Sequence, residues 1–131
     1  GEIYDQDKIL AGALADDDRT IISSHRLMLE GYERNMGGNT SIGCIITNAD
    51  LTKTECRMVS TMAHDGLARS IRPVHTSMDG DTLFTMASGE VKTTIDTVGY
   101  LAEEAVRLAV LDAAASAEGM GGRPAYRDII K

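Results

Sequence analysis

Ser41-Ile42-Gly43-Cys44-Ile45-Ile46-Thr47 is a short apolar run rich in β-branched residues. It lacks alternation of apolar and polar positions, which is the pattern of a strand covered on both faces. Asn48-Ala49-Asp50 turns the chain after it. A second run of this kind, Thr82-Leu83-Phe84-Thr85-Met86-Ala87, follows the turn-like Asp79-Gly80, and Ser88-Gly89-Glu90 is expected to close it. Two strands make a marginal sheet, and a strand apolar on both faces needs neighbours and cover. The pattern therefore predicts an α/β fold whose sheet is completed by another polypeptide or by an upstream segment.

Three helices surround these strands. Ile21, His25, Met28, Leu29, Tyr32 and Met36 recur at helical spacing. Asp16-Asp17-Asp18 stand where a helix N-terminus favours negative charge, and Gly37-Gly38 can stop the helix. This places a helix over about residues 19–35. Thr52-Lys53-Thr54-Glu55 is a capping-box pattern, in which the Thr hydroxyl and the Glu carboxylate each satisfy an otherwise unpaired backbone N–H. The helix it opens runs to about Ser70, with Val59, Met62, Ala63 and Leu67 on its core side, and Pro73 bars its continuation. A third helix spans about Thr94 to Ala117. Val98, Leu101, Ala102, Ala105, Leu108 and Ala109 form one face, and Val106, Val110 and Ala113 widen it, so cover on more than one side is expected. Glu103 and Arg107 are spaced for an i,i+4 pair. At the other end, Gly1-Glu2-Ile3-Tyr4-Asp5 reads as the end of a strand or hairpin rather than a natural start, as expected of a fragment or a processed chain.

Composition excludes several classes. The 131 residues suit one domain or part of one, and 43% hydrophobic with 25% charged residues is ordinary for a globular chain. No uninterrupted apolar stretch approaches the roughly 18 residues of a spanning helix. Thirteen basic against twenty acidic residues leave a net charge of −7, the wrong sign for a nucleic-acid binder. Two cysteines, Cys44 and Cys56, make no disulfide framework and suit a reducing compartment, so the expected location is cytoplasmic. Cys44, inside the strand, is expected to behave as a small buried hydrophobe. Nothing around Cys56 suggests a lowered pKa. The seven methionines read as core filler.

Candidate chemistry is sparse. In Gly37-Gly38-Asn39-Thr40-Ser41, two glycines relax the backbone just before a hydroxyl residue at the mouth of the strand. A Thr hydroxyl is a weak nucleophile unless its own α-amino group, freed by cleavage of the preceding bond, acts as base. Such an amine titrates near ~7.7–8.0 and can take a proton at neutral pH. The plain alternative is a helix stop and a turn, which is common. Asp79-Gly80-Asp81 sets two carboxylates around a glycine. They can orient an ammonium or share a proton, or form only a solvated turn. A calcium loop is excluded, because Leu83 and Phe84 occupy positions where a ligand and the sharp-turn glycine belong. His25, His64 and His75 have no metal-ligand spacing, and His64-Asp65 near a helix end reads as structural.

Several ordered blocks are similar to one family. They are Asn39-Thr40-Ser41-Ile42-Gly43 through Thr47-Asn48-Ala49, Met62-Ala63-His64-Asp65-Gly66-Leu67-Ala68-Arg69, Ile71-Arg72-Pro73-Val74-His75-Thr76, and Asp79-Gly80-Asp81-Thr82-Leu83-Phe84. Together they resemble the self-cleaving L-aminopeptidase/D-esterase family, which includes β-peptidyl aminopeptidases and the nylon-oligomer hydrolase. The likeness covers nearly the whole chain. It implies an αββα sandwich of which this chain is the C-terminal part. Residues 1–39 would end the larger subunit, and residues 40–131 would belong to the smaller, catalytic one.

The resemblance also implies a self-processing amidohydrolase that cuts Asn39–Thr40. Thr40 would be nucleophile and, through its amino group, general base. Asp79 and Asp81 would orient that amine. Ser41 would shift the register by one and is the poorer nucleophile. The implied partners are the upstream segment of the same precursor, a small peptide, amide or ester substrate, and further copies in a homo-oligomer. No metal or organic cofactor, nucleic acid or membrane is implied. An acyl transferase resembling ornithine acetyltransferase and a non-catalytic assembly subunit stand as the alternative readings.

Overall fold

The computed structural model describes residues 1–31 and 40–129. The chain opens on a hairpin, as the first residues suggest: β1 (Glu2–Asp5) pairs antiparallel with β2 (Lys8–Ala11). A second small antiparallel pair follows, β3 (Ala13–Leu14) with β4 (Ile21–Ile22). Then comes α1 (Ser24–Leu29). This corrects the helix expected from residue 19. The Asp17 carboxylate accepts from the backbone N–H groups of Arg19 and Thr20 and from the Thr20 hydroxyl, which closes a turn instead of starting a helix. Ser23 is the actual cap, its side chain accepting from the Arg26 N–H. Tyr32, Met36, Gly37, Gly38 and Asn39 lie outside the described residues.

The main unit is β5 (Ile42–Ala49), α2 (Lys53–Ser70), the short β6 (Ile71–Arg72), β7 (Thr82–Val91) and α3 (Ile95–Ser116); α4 (Tyr126–Ile129) lies near the C-terminus. β5 and β7 run parallel, in register from Ile42↔Thr82 to Thr47↔Ala87. α2 supplies the crossover that a parallel pair requires. β7 does not stop at Ser88-Gly89-Glu90 as expected. The register shifts there, Gly89 takes a φ of +82°, and pairing resumes at Ala49↔Val91. β6 returns to the N-terminal hairpin, pairing with β1 through Glu2↔Arg72 and Ile3↔Ile71.

α2 begins as its sequence dictates. Thr52 Oγ1 accepts from the Glu55 N–H, while Glu55 Oε2 accepts from the Thr52 N–H at 2.7 Å. Val59, Ala63 and Leu67 of α2 meet Ala49, Leu83, Val98 and Ala102 in a single buried cluster. Burying a Val or Leu side chain contributes about 1.5–3 kcal/mol. α2 and α3 approach closely at Gly66, where a Cβ would lie 2.3 Å from the Glu103 carbonyl oxygen.

One side of the β5–β7 pair faces these helices and the other does not. Ile42 and Ile46 are 76% and 81% exposed, and Phe84 and Met86 project from β7 on the same open side. Cys44 lies exposed between them, contrary to the burial expected of it. The strand is apolar on both faces, as the sequence indicates, but among the described residues nothing covers the second face. The same holds for α3. Val98 and Ala102 are buried, whereas Leu101, Ala105, Leu108 and Ala109 of the expected core stripe are exposed. Glu103 also departs from its expected i,i+4 pair. It binds Arg69 of α2, while Arg107 binds Glu104 at 3.1 Å. Among the described residues, no helix is long and apolar enough to cross a membrane.

Candidate active site

Thr40 stands immediately before β5, and the parallel ladder fixes the residue that follows it. The Ser41 carbonyl accepts from the Thr82 N–H at 2.8 Å. The Ser41 N–H donates to Asp81 Oδ1, also at 2.8 Å. Both backbone groups of Ser41 are thus held by two consecutive residues at the start of β7. Thr40 itself is exposed, with Oγ1 against Gly80: a Cβ built on Gly80 would lie 2.9 Å from it. Thr40, Ser41, Asp79 and Asp81 line one cavity of about 160 Å³, walled on its apolar side by Ile3, Ile71, Pro73 and Val74.

The two carboxylates differ in their bonding. Asp79 is bound within its own turn, where Oδ2 accepts from the Thr76 N–H at 2.8 Å and from the Thr76 hydroxyl at 3.0 Å. Asp81 is the buried one, its side chain 6% exposed. Burial works against its charge, but the hydrogen bonds from Ser41 and the neighbouring His75 outweigh burial and hold its carboxyl below the usual range. Its Oδ2 lies 3.0 Å from His75 Nδ1, an approach too poorly aligned for a hydrogen bond, so this buried acceptor has no donor. A cation entering the cavity would meet the negative charge of a carboxylate that is held at one oxygen by the Ser41 N–H.

The structure therefore brings together Thr40, Asp79 and Asp81. Asn39 lies outside the described residues. Sequence reasoning missed His75, which touches Asp81, and His64, whose Nδ1 lies 3.2 Å from His75 Nε2. Their spacing of eleven residues carries no motif. The available signal was that His75 opens the same short turn that ends in Asp79-Gly80-Asp81. Among the described residues, no group of three or more His, Cys, Asp or Glu side chains is arranged to hold a metal ion.

The sequence model of peptidase family S58 matches residues 7–127. The chain belongs to this family. The match agrees with the resemblance to the L-aminopeptidases/D-esterases. An uncharacterized aminopeptidase of Mycobacterium leprae is 41% identical over 103 residues, covering 67% of this chain and 28% of the relative. An uncharacterized aminopeptidase of Mycobacterium tuberculosis is 39% identical over 106 residues, 70% of this chain and 31% of its own. A 6-aminohexanoate-oligomer endohydrolase of Paenarthrobacter ureafaciens is 41% identical over 54 residues, 41% of this chain and 15% of the relative. The S58 chain described here thus spans under a third of the length of these curated relatives.

Proposed function

We propose that this chain is part of a self-processing amidohydrolase, an aminopeptidase in the broad sense, that cuts Asn39–Thr40 and uses Thr40 as its N-terminal nucleophile. The observation that carries the reading is the clamp on Ser41. Asp81 and Thr82 hold both its backbone groups, so the preceding residue is presented at a cavity beside a buried, ionised carboxylate. Thr40 Oγ1 attacks the substrate carbonyl while the freed α-amine accepts the hydroxyl proton. The resulting ammonium protonates the leaving amine, and an acyl-enzyme remains. Water then attacks the acyl group, the α-amine again taking a proton, and the product acid departs. Asp81 stabilises the ammonium stages by its charge, and Asp79 orders the turn that carries Gly80 and Asp81.

The names of the relatives support this class of chemistry. Aminopeptidases and an oligomer endohydrolase both break amide bonds, so small peptides, amides or esters are the substrates to screen. The uncovered apolar face of β5 and β7 supports a second sheet layer from an upstream segment of the same precursor, giving an αββα sandwich with this chain as its C-terminal part. Assembly into a homo-oligomer and a cytoplasmic location belong to the same reading.

The test is the denatured mass of the full-length protein beside its Thr40→Ala variant. Two fragments meeting at Asn39–Thr40, absent in the variant, are expected. A variant that still cuts removes Thr40 from the role. Wild type that stays whole favours an assembly subunit. Acetyl transfer from N-acetylornithine to glutamate without peptide hydrolysis turns the assignment to an acyl transferase.

A further inference from the structure

We propose that His75 is a positioning residue for Thr40, acting through Asp81, with His64 as its outer partner; the inference rests on Thr40 being the nucleophile. Three contacts form a chain. His64 Nδ1 meets His75 Nε2 at 3.2 Å, His75 Nδ1 meets Asp81 Oδ2 at 3.0 Å, and Asp81 Oδ1 takes the Ser41 N–H at 2.8 Å. The chain starts in an open groove beside α2, lined by Arg57, Ser60, Thr61 and His64. It ends on the residue that follows the nucleophile. With His64 donating from Nδ1, His75 accepts at Nε2 and carries its own proton on Nδ1, the nitrogen that faces Asp81.

The geometry gives His75 a task. Asp81 has one oxygen fixed by Ser41, and its other oxygen is buried without an aligned donor. A carboxylate held at one oxygen can swing about that bond. A donor at the second oxygen fixes its plane and so fixes the direction of its charge relative to the Thr40 amine. A small rotation of the imidazole converts the 3.0 Å approach into that hydrogen bond. His75 reaches this place in a left-handed backbone conformation, with φ +55°, which costs a non-glycine residue of order 1 kcal/mol. Leu, Val or Ile there would bear that cost with no bond to Asp81 in return.

The backbone also supplies the experiment. Glycine and asparagine both accept positive φ, but only asparagine offers a side-chain donor at the position of Nδ1. In the full-length precursor, His75→Gly is expected to slow cleavage of Asn39–Thr40 at least tenfold. On an amino-acid p-nitroanilide, it should lower kcat of the mature enzyme about tenfold while KM stays within twofold. His75→Asn is expected to stay within threefold of wild type in both assays. Should the glycine variant fail to fold, His75→Asp keeps the backbone tolerance without a donor and is expected to be as slow.

Wild-type rates in the glycine or aspartate variant overturn the proposal, as does equal impairment of the asparagine and glycine variants, which would mean a packing role. Thr40→Ala separates this from the parent reading. If it abolishes cleavage while His75→Gly is normal, only the His75 role falls. If Thr40→Ala still cuts, or wild type never does, both fall.

Discussion

Replacing Gly80 by alanine places a methyl carbon 2.9 Å from Thr40 Oγ1, 3.7 Å from its Cγ2 and 3.9 Å from its Cβ. An ordinary contact begins at 3.4 Å, so the hydroxyl must retreat by about 0.5 Å or rotate away. The backbone raises no objection, because Gly80 is outside the left-handed region. A Gly→Ala change in such a place stabilises by about 0.4–1 kcal/mol through the unfolded chain. The two effects therefore point in opposite directions. A 1 Å misplacement of a reacting group costs about 100-fold, so half that displacement costs on the order of tenfold, or ~1.4 kcal/mol of barrier. The assay is a timed gel of the newly synthesised full-length precursor, with thermal unfolding measured in parallel. Self-cleavage is expected to slow about tenfold in Gly80→Ala, and further in Gly80→Val, with the Tm of the alanine variant unchanged or raised. Cleavage within twofold of wild type in both variants would refute the reasoning, since Thr40 Oγ1 could not then react from beside Gly80.

The remaining predictions concern the scaffold. Leu67 is 3% exposed in the shared core of α2, β7 and α3, so Leu67→Ala should destabilise by about 2–5 kcal/mol in urea unfolding; a loss below 1 kcal/mol would contradict that packing. Thr52→Ala removes the cap of α2 and should cost about 1 kcal/mol in the same assay, with no effect on the cleavage rate. The Thr20 hydroxyl, then the Thr20 and Arg19 N–H groups, lower the Asp17 pKa from 3.8 to about 2. A depressed carboxyl stabilises the folded state in full above its unfolded value. The Asp17 turn should therefore hold at pH 5 and loosen as pH falls from 3.8 towards 2. An Asp17 titration midpoint near 3.8, followed by NMR of its carboxyl carbon, would refute this.

α2 was legible in the sequence almost to the residue, because a capping box and apolar spacing act within a few residues of chain. The Thr82 strand was legible for the same reason, though not its continuation, which depends on a register shift against β5. The region from residue 16 was misread because Asp16-Asp17-Asp18 fits two local structures. Attraction of acids to a helix N-terminus is worth a few tenths of a kcal/mol, whereas the Asp17 carboxylate takes three hydrogen bonds in the turn. Thr40, Asp79 and Asp81 could be named from family resemblance, and their grouping at one cavity is a consequence of parallel pairing. The His64–His75 contact was not legible. It depends on where the fourth turn of α2 meets the loop after β6, which no spacing encodes.

The apolar excess of β5 and the location of Thr40 are parts of one design problem. The nucleophile proposed at Thr40 would have to be held to within a fraction of an ångström, and a strand inside a sheet holds better than a loop. Thr40 gains this rigidity through Ser41, whose carbonyl joins the ladder and whose N–H is taken by Asp81. The ladder is only as rigid as its cover. On one side, Val59, Leu67 and Leu83 pack tightly with α3. On the other, Ile42, Ile46, Phe84 and Met86 lie open. A second layer laid on that face would bury the start of β5 and β7 from below, at the level of the cavity that Thr40 and Asp81 line. Under the proposed function, closing the sheet and completing the cavity are the same event, and competence for self-cleavage would depend on correct assembly of the whole precursor.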